Sequence, residues 1–116
     1  KINVPLSPVD WYLLIKNSKG YIGQRMHPMV VALSNIVPFV SFDHYAYKKD
    51  LCSSKIFDLL ERANLLDNYV PIGRDEIVAK DVVSKILQFD KNKAASFVLD
   101  YGNRYSSLME KITNCL

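Results

Sequence analysis

The fold of this chain is decided by residues 20–43, whose sequence is GYIGQRMHPMVVALSNIVPFVSFD. The opening YIGQR has an aromatic and a β-branched residue but no regular polar alternation, which predicts a short strand buried on both faces. A helix is predicted to begin directly after His27, with Pro28 at its permitted first turn, and to end near Asn35. The run VPFVSFD then has the length and composition of an interior parallel strand that closes on Asp43.

Helix and strand patterns continue to alternate on both sides of this stretch. Ser7, Pro8 and Asp10 form a helix start before it, and that helix is predicted to end near Lys19. After it come an amphipathic helix in KIFDLLERANLL, a short strand in DNYVPIGR and another helix in DEIVAKDVVSKILQF. Residues 91–116 predict a long C-terminal helix, and KINVPL at the front predicts one more strand.

This alternation decides the predicted fold class. Strands that alternate with helices of about 10–15 residues pair in parallel through right-handed crossovers. We therefore predict a single Rossmann-like domain over residues 1–116, a three-layer α/β/α sandwich with a mostly parallel sheet of about four or five strands and a long C-terminal helix. Ligands of such open sheets collect beyond the carboxyl ends of the strands.

Composition excludes several classes of partner. The net charge of +3 comes from 15 basic and 12 acidic residues without charge blocks, so no nucleic-acid partner is predicted. No apolar run approaches the roughly 20 residues of a membrane span, and a soluble domain is predicted. Cys52 and Cys115 are too few for a disulfide framework, which favours a reducing cytoplasm. The chain begins at Lys1 rather than at a methionine, and its start lacks the layout of a secretion signal. An excised piece of a longer protein is therefore expected.

Arg25 and His27 are the candidate site. On the predicted strand they share a side, because successive side chains point to opposite faces, and a helix start follows directly. Guanidinium, imidazole and unpaired helix N–H groups together predict a pocket for a phosphate or carboxylate. The structural alternative is that Arg25 pairs with an acidic residue while His27 only caps the helix.

Weaker candidates lie in the loop that follows the second strand. His44, with Asp43, Tyr45 and Tyr47, is a candidate to contact a sugar ring, because tyrosines offer both a flat apolar face and a hydroxyl, although surface tyrosines often only pack. The glycine pair in GYIG lacks the GxGxxG spacing, so it is not a phosphate-binding fingerprint. No metal site is predicted.

The segment QRMHPMVVALSNIVPFVSFD resembles the R-x-H-x-x-x-x-A-L-x-x-x-x-P motif of the polysaccharide pyruvyl transferases. A second motif of that family, K-[VI]-x-x-L-L-x-x-x-x-L, is matched by Lys55, Ile56, Leu59, Leu60 and Leu65. The resemblance covers residues 7–86, and this chain departs from the common pattern in its long loop, residues 44–54.

The resemblance implies a bacterial enzyme of exopolysaccharide biosynthesis that transfers the pyruvyl group of phosphoenolpyruvate to sugar hydroxyls and releases phosphate. It implies that Arg25 and His27 bind the donor, that His27 is also the catalytic acid, and that Lys55 assists. The chain would be the C-terminal half of a two-domain enzyme of the GT-B kind, and would be inactive without its N-terminal domain.

Further expectations follow from the same resemblance. Phosphoenolpyruvate is the donor substrate and no cofactor is expected, while the acceptor is a glycan or a lipid-linked oligosaccharide. The enzyme is expected in the cytoplasm, including at the inner face of the membrane.

Two other functions remain open from the residues alone. A GT-B glycosyltransferase that binds a nucleotide-sugar diphosphate would also use a helix start, but a glycine-rich loop is absent and Asp43 is the only acidic residue placed for a ribose. A non-catalytic, receiver-like interaction domain would need an acidic cluster that the sequence lacks.

Overall fold

The computed structural model describes residues 5–43, 54–72 and 78–116. These segments form a mixed α/β structure whose elements follow in the order α1 (Pro8–Lys16), β1 (Tyr21–Gly23), α2 (Met26–Ser34), β2 (Phe39–Asp43), α3 (Lys55–Arg62), β3 (Tyr69–Pro71), α4 (Ala79–Leu87) and α5 (Lys91–Asn114), with a 3₁₀ turn at Leu66–Asn68. The predicted alternation of helices and strands is confirmed across these segments.

The sheet is parallel, with β2 between β1 and β3. It has three strands within the described residues, fewer than the four or five predicted, and the segment predicted to add a strand at the front lies largely outside them. A complete three-layer sandwich stays a prediction.

Strand β1 is shorter than the sequence predicted. Its pairing with β2 ends where Gly23 faces Ser41, and helix α2 begins at Met26, two residues earlier than Pro28. The prediction that Arg25 and His27 lie on this strand is therefore wrong: Arg25 is the N-cap of α2 and His27 lies in its first turn. The helix start was predicted too late because the proline was expected near the first helical position. Pro28 lies at the third position instead, where its missing N–H also costs no helix hydrogen bond.

The main core lies between the sheet and the helices that follow β1 and β2. Phe39 is fully buried at its centre and contacts the ring of Phe89, with the ring centroids 5.3 Å apart. Met29 from α2, Leu60 from α3 and the start of α5 at Ala94 complete the cluster, and each is fully buried. Helix α1 is mostly exposed, since Ile15 is its only buried residue.

Two helices end in the same type of cap. After α2, the N–H of Ile36 donates to Leu33 and the N–H of Val37 to Ala32, at 3.0 and 2.9 Å. After α3, Asn64 donates to Glu61 and Leu65 to Leu60 in the same pattern, at 3.0 and 2.8 Å. These are Schellman caps, which place one residue in the left-handed region, here Ile36 at φ 57° and Asn64 at φ 55°. The chain thereby turns sharply into β2 and toward β3.

None of the helices in the described segments combines the length and apolar character needed to cross a bilayer.

Candidate functional site

The start of α2 presents backbone N–H groups beyond the carboxyl end of β1. Arg25 is its N-cap, in an extended conformation, and no side chain caps the helix or places a negative charge in its first turn. The first three residues of α2 are Met26, His27 and Pro28. Because proline has no N–H, Met26 and His27 supply the available N–H groups of these positions. Because these dipoles lie at the positive end of the helix, an anion is favoured here.

Arg25 and His27 flank these N–H groups with exposed side chains. Positions two apart on a helix do not face each other, so the two side chains are not paired through strand alternation as predicted. What they share is the helix start itself. The arginine can donate several hydrogen bonds to one anion, and the imidazole can both donate a hydrogen bond and transfer a proton.

Tyr21 is a member of this site that sequence reasoning missed. Its ring folds over Gly23, where any added Cβ would collide with the phenol oxygen. Burial raises the pKa of the Tyr21 hydroxyl, while a backbone hydrogen bond from Arg25 and the guanidinium charge act in the opposite direction. The sequence signal for this contact was the spacing of Tyr21 and Gly23. Residues two apart on a strand share a face, and a glycine leaves room for a neighbouring ring.

A buried polar cluster lies at the carboxyl end of β2. Asp43 is 4% exposed and accepts hydrogen bonds from the hydroxyls of Ser54 and Tyr69, the latter at 3.2 Å. Burial and the Asp43 charge raise the pKa of Tyr69. Ser54 in turn accepts the N–H of Phe57 at 3.0 Å and so caps α3. This cluster fixes the first residue of α3, Lys55, relative to the edge of the sheet.

These groups belong to one face of the sheet. Tyr21 pairs in register with Phe39, Gly23 with Ser41, and Ser41 with Tyr69, and residues in register on parallel strands share a face. Ser41 is fully buried, and its hydroxyl has no hydrogen-bond partner among the described residues. Gly23, which the Tyr21 ring covers, and Tyr69 therefore lie on either side of the buried Ser41.

The remaining predicted site residues have different outcomes. Lys55 is exposed and lines a cleft of about 480 Å³. Met26, the first residue of α2, lines the same cleft, so the structure brings Lys55 near the start of α2. His44 and Tyr45 lie outside the described residues. Among the described residues, no three histidine, cysteine or acidic side chains are grouped to hold a metal ion.

Comparison with known families gives a match that includes this helix start. A helix start with exposed basic side chains, at the edge of a parallel sheet, defines an α/β protein with an anion-favouring site. The family model of polysaccharide pyruvyl transferase matches residues 1–45. The resemblance predicted from the R-x-H segment is confirmed over that part of the chain, which includes Arg25 and His27 and ends before Lys55. Comparisons with curated proteins and with solved structures give no match.

Proposed function

We propose that this chain is a domain of a polysaccharide pyruvyl transferase and binds phosphoenolpyruvate at the start of α2. The observation that carries the proposal is the family match over residues 1–45, because both exposed basic side chains at that helix start fall within it. The family implies a transferase, and the anion-favouring geometry suits a donor that carries a phosphate and a carboxylate.

Arg25 and the helix start have the binding role. A guanidinium donates two parallel hydrogen bonds to a phosphate or a carboxylate, and the N–H groups of Met26 and His27 add to the same positive end. Charge-assisted hydrogen bonds of this kind are each worth about 1.5–3 kcal/mol. Tyr21 lies close enough to Arg25 for the arginine backbone and its guanidinium charge to lower the pKa of the tyrosine hydroxyl against the larger effect of burial.

His27 has the role of the acid. Protonation of the methylene carbon of phosphoenolpyruvate makes the adjacent enol carbon electrophilic, and a sugar hydroxyl can then add to it. When a second hydroxyl displaces phosphate, a cyclic ketal forms. Two hydroxyl protons are released in total: one restores the protonated histidine and the other leaves with the phosphate.

The wider assignment is also part of the proposal. The chain would form the C-terminal, Rossmann-like half of a two-domain enzyme of the GT-B kind, and the N-terminal domain would complete the cleft. A glycan or lipid-linked oligosaccharide would be the acceptor, in the bacterial cytoplasm or at the inner face of the membrane. Lys55, which shares a cleft with Met26, would contact the donor or the acceptor.

The test is direct binding of phosphoenolpyruvate to the 116-residue chain. Nuclear magnetic resonance titration should shift the backbone signals of residues 25–27 and the ring signals of His27. Arg25→Ala should weaken binding by about tenfold to a hundredfold, as expected for the loss of one charge-assisted partner.

The control for Arg25→Ala is Lys111→Ala. It removes the same charge from the exposed part of α5 and should bind phosphoenolpyruvate as the parent chain does. Equal weakening in both variants would mean that only net charge is sensed, and the proposed donor site would be wrong. A titration in which residues 25–27 do not respond would lead to the same conclusion.

A further inference from the structure

One face of α5 is apolar along the whole helix, and its own domain covers only the first half of that face. Side chains three or four positions apart share a helix face. The members of this face are Ala94, Val98, Tyr101, Tyr105, Leu108 and Ile112. Ala94 is fully buried and Val98 is half-buried, whereas the four later side chains are 45–63% exposed. We call these four residues the open stripe, and exposed apolar patches of this kind mark interaction surfaces.

The spacing along this face indicates the kind of partner. From Ala94 to Cys115 the steps alternate between four and three residues, which is the heptad period of a coiled coil. The side chains at these steps insert between those of a facing helix that has the same period. The other α-helices of the described segments have only eight or nine residues. A helix long enough to pair with the open stripe is therefore supplied by α5 of a second copy.

The direction of the second helix follows from where each domain lies. Val98 lines a cavity together with Val30 and Leu33 of α2, so the space in front of the first half of α5 is occupied. A parallel partner helix would have to pass through that space, because both copies would present their first halves to each other. An antiparallel partner overlaps the exposed second halves and places the two domains at opposite ends of the helix pair.

The antiparallel alignment brings unlike side chains together. With a two-fold axis beside residues 106 and 107, Tyr105 lies opposite the partner's Leu108, and Tyr101 lies opposite the partner's Ile112. The axis repeats both contacts, as it does in any symmetric dimer. Each tyrosine ring therefore packs against an aliphatic side chain, and its hydroxyl stays at the edge of the contact, in water.

The same alignment fills a cavity at the end of the open stripe. This cavity of about 290 Å³ lies where α5 leaves the core and is lined mainly by apolar side chains, among them Leu59, Phe97 and Tyr101. The partner's Leu116 lies opposite Phe97 in the antiparallel pair and would enter the cavity. Apolar surface of both copies is then removed from water, which favours association.

The accessible surface of the chain is large enough to supply such an interface. It measures 8825 Å², about 2,300 Å² more than the roughly 6,500 Å² expected for a compact monomer of 13.3 kDa. A standard protein–protein interface takes about 800 Å² from each partner. The chain can therefore bury a full interface and still expose more surface than a compact monomer of its mass.

Charge favours a second copy over a lipid bilayer as the occupant. Residues 99–116 contain two acidic and two basic side chains, Asp100, Glu110, Arg104 and Lys111, so their net charge is zero. Amphipathic helices that bind anionic membranes carry an excess of Lys and Arg on their polar face. In the antiparallel pair Arg104 comes near the partner's Lys111, so higher ionic strength should strengthen the association by screening these charges.

We propose that the open stripe joins two copies of this chain in an antiparallel, two-fold symmetric helix pair. The proposal goes beyond pyruvyl transfer and does not depend on it, because no residue of the open stripe belongs to the donor site at residues 25–27. In dilute solution the monomer predominates and the second half of α5 stays in contact with solvent. Self-association and phosphoenolpyruvate binding can therefore succeed or fail separately.

Sedimentation equilibrium of the 116-residue chain measures the association. A reversible monomer–dimer equilibrium in the micromolar range is expected. Leu108→Glu places a charge against the partner's Tyr105 on both sides of the axis, so the dissociation constant should rise by about a hundredfold or more. Leu108 is exposed in the monomer, so the circular dichroism and denaturant unfolding of this variant in dilute solution should match those of the parent chain.

The matched control is Leu99→Glu, the same substitution on the same helix. Leu99 is 67% exposed but lies on the opposite face of α5, so this variant should dimerise as the parent chain does. The proposal is overturned if the parent chain stays monomeric at every concentration or if both variants weaken the dimer equally. A monomeric chain that binds phosphatidylserine vesicles through Leu108 would likewise replace the second copy with a membrane.

Disulfide cross-linking tests the direction of the helices. In the antiparallel pair Cys115 lies opposite the partner's Val98 and about 25 Å along the helix from the partner's Cys115. In a Cys52→Ser background, Val98→Cys should therefore give a cross-linked dimer with oxidised glutathione, while the background chain, with Cys115 as its only thiol, should not. Failure of the Val98→Cys cross-link, or efficient cross-linking between two Cys115 residues, would overturn the antiparallel pair.

Discussion

At the scale of single residues, the structure places Arg25 and His27 differently from the prediction that both lie on one face of a strand. Arg25 ends the extended segment and His27 belongs to the helix, so their proposed roles can be tested one at a time. In the proposed function the arginine holds an anion and the histidine exchanges a proton.

His27→Gln tests the proton-transfer role in an active pyruvyl transferase that contains this chain as a domain. Glutamine keeps a hydrogen-bond donor but removes the acid, so kcat should fall by roughly a hundredfold or more while KM for phosphoenolpyruvate changes much less. The limb of the pH profile that reports the histidine should also flatten. Steady-state kinetics across pH measure both effects, and an unchanged kcat would leave the histidine with a binding role only.

Tyr21 predicts a loss of stability in alkaline solution. Burial raises its pKa in the folded chain above the usual value of about 10. Above about pH 10 the unfolded chain therefore loses this proton while the folded chain keeps it, and the free energy of unfolding falls as the pH rises through the raised pKa. Chemical denaturation at increasing pH should show a smaller decline in Tyr21→Phe.

The control for this titration is Tyr105→Phe, which alters an exposed tyrosine on α5. It should keep the alkaline decline of the parent chain. If Tyr21→Phe and the parent chain lose stability identically, the phenol over Gly23 is not a proton-linked group.

At the scale of helices and strands, the two Schellman caps determine where the chain enters β2 and β3. Asn64 occupies the left-handed position after α3, with φ 55° and an exposed side chain. Asparagine tolerates this region better than alanine, and glycine enters it without steric cost. Asn64→Ala should therefore lower the free energy of unfolding by about 1 kcal/mol, whereas Asn64→Gly should stay within about 0.5 kcal/mol of the parent.

The same substitution in a helix interior provides the control. Asn103 is exposed in the middle of α5, and Asn103→Ala should leave stability unchanged or raise it by up to about 0.7 kcal/mol, because alanine has the highest helix propensity. Denaturant unfolding of the three variants measures these differences. Equal effects of alanine at both positions would show that the cap geometry has no influence on stability.

Element types were predictable from the sequence, and one decisive boundary was not. Ser7 caps α1 as predicted, with Asp10 completing a capping box, and α2 buries Met29 and Leu33 as the helical pattern required. The end of β1 was misplaced because proline is compatible with every position of a first helical turn, so it indicates a helix start only to within about two residues.

The candidate site was predictable only in part for a related reason. Local spacing showed that Arg25 and His27 stand near a helix start. It could not show that Tyr69 and Ser54 meet Asp43, because those contacts join segments separated by 26 and 11 positions. The cleft beside Lys55 depends on where α5 packs, which is a tertiary property.

At the scale of the whole molecule, the shape departs from that of a compact domain. The radius of gyration is 16.0 Å, against about 13 Å expected for a chain of this length. The first turns of α5 are anchored in the core through Ala94, but every residue from 99 to 116 is exposed. The helix therefore joins a well-packed part of the molecule to a part that is mostly in contact with solvent.

The two ends of α5 should consequently open on different timescales. Its 24 residues span about 36 Å, and a helical segment without tertiary packing is only marginally stable in water. Hydrogen–deuterium exchange should be slow near Ala94 and fast beyond Tyr105, with Tyr101 and Arg104 at the transition between the two regimes. Uniform protection along α5 would contradict this expectation.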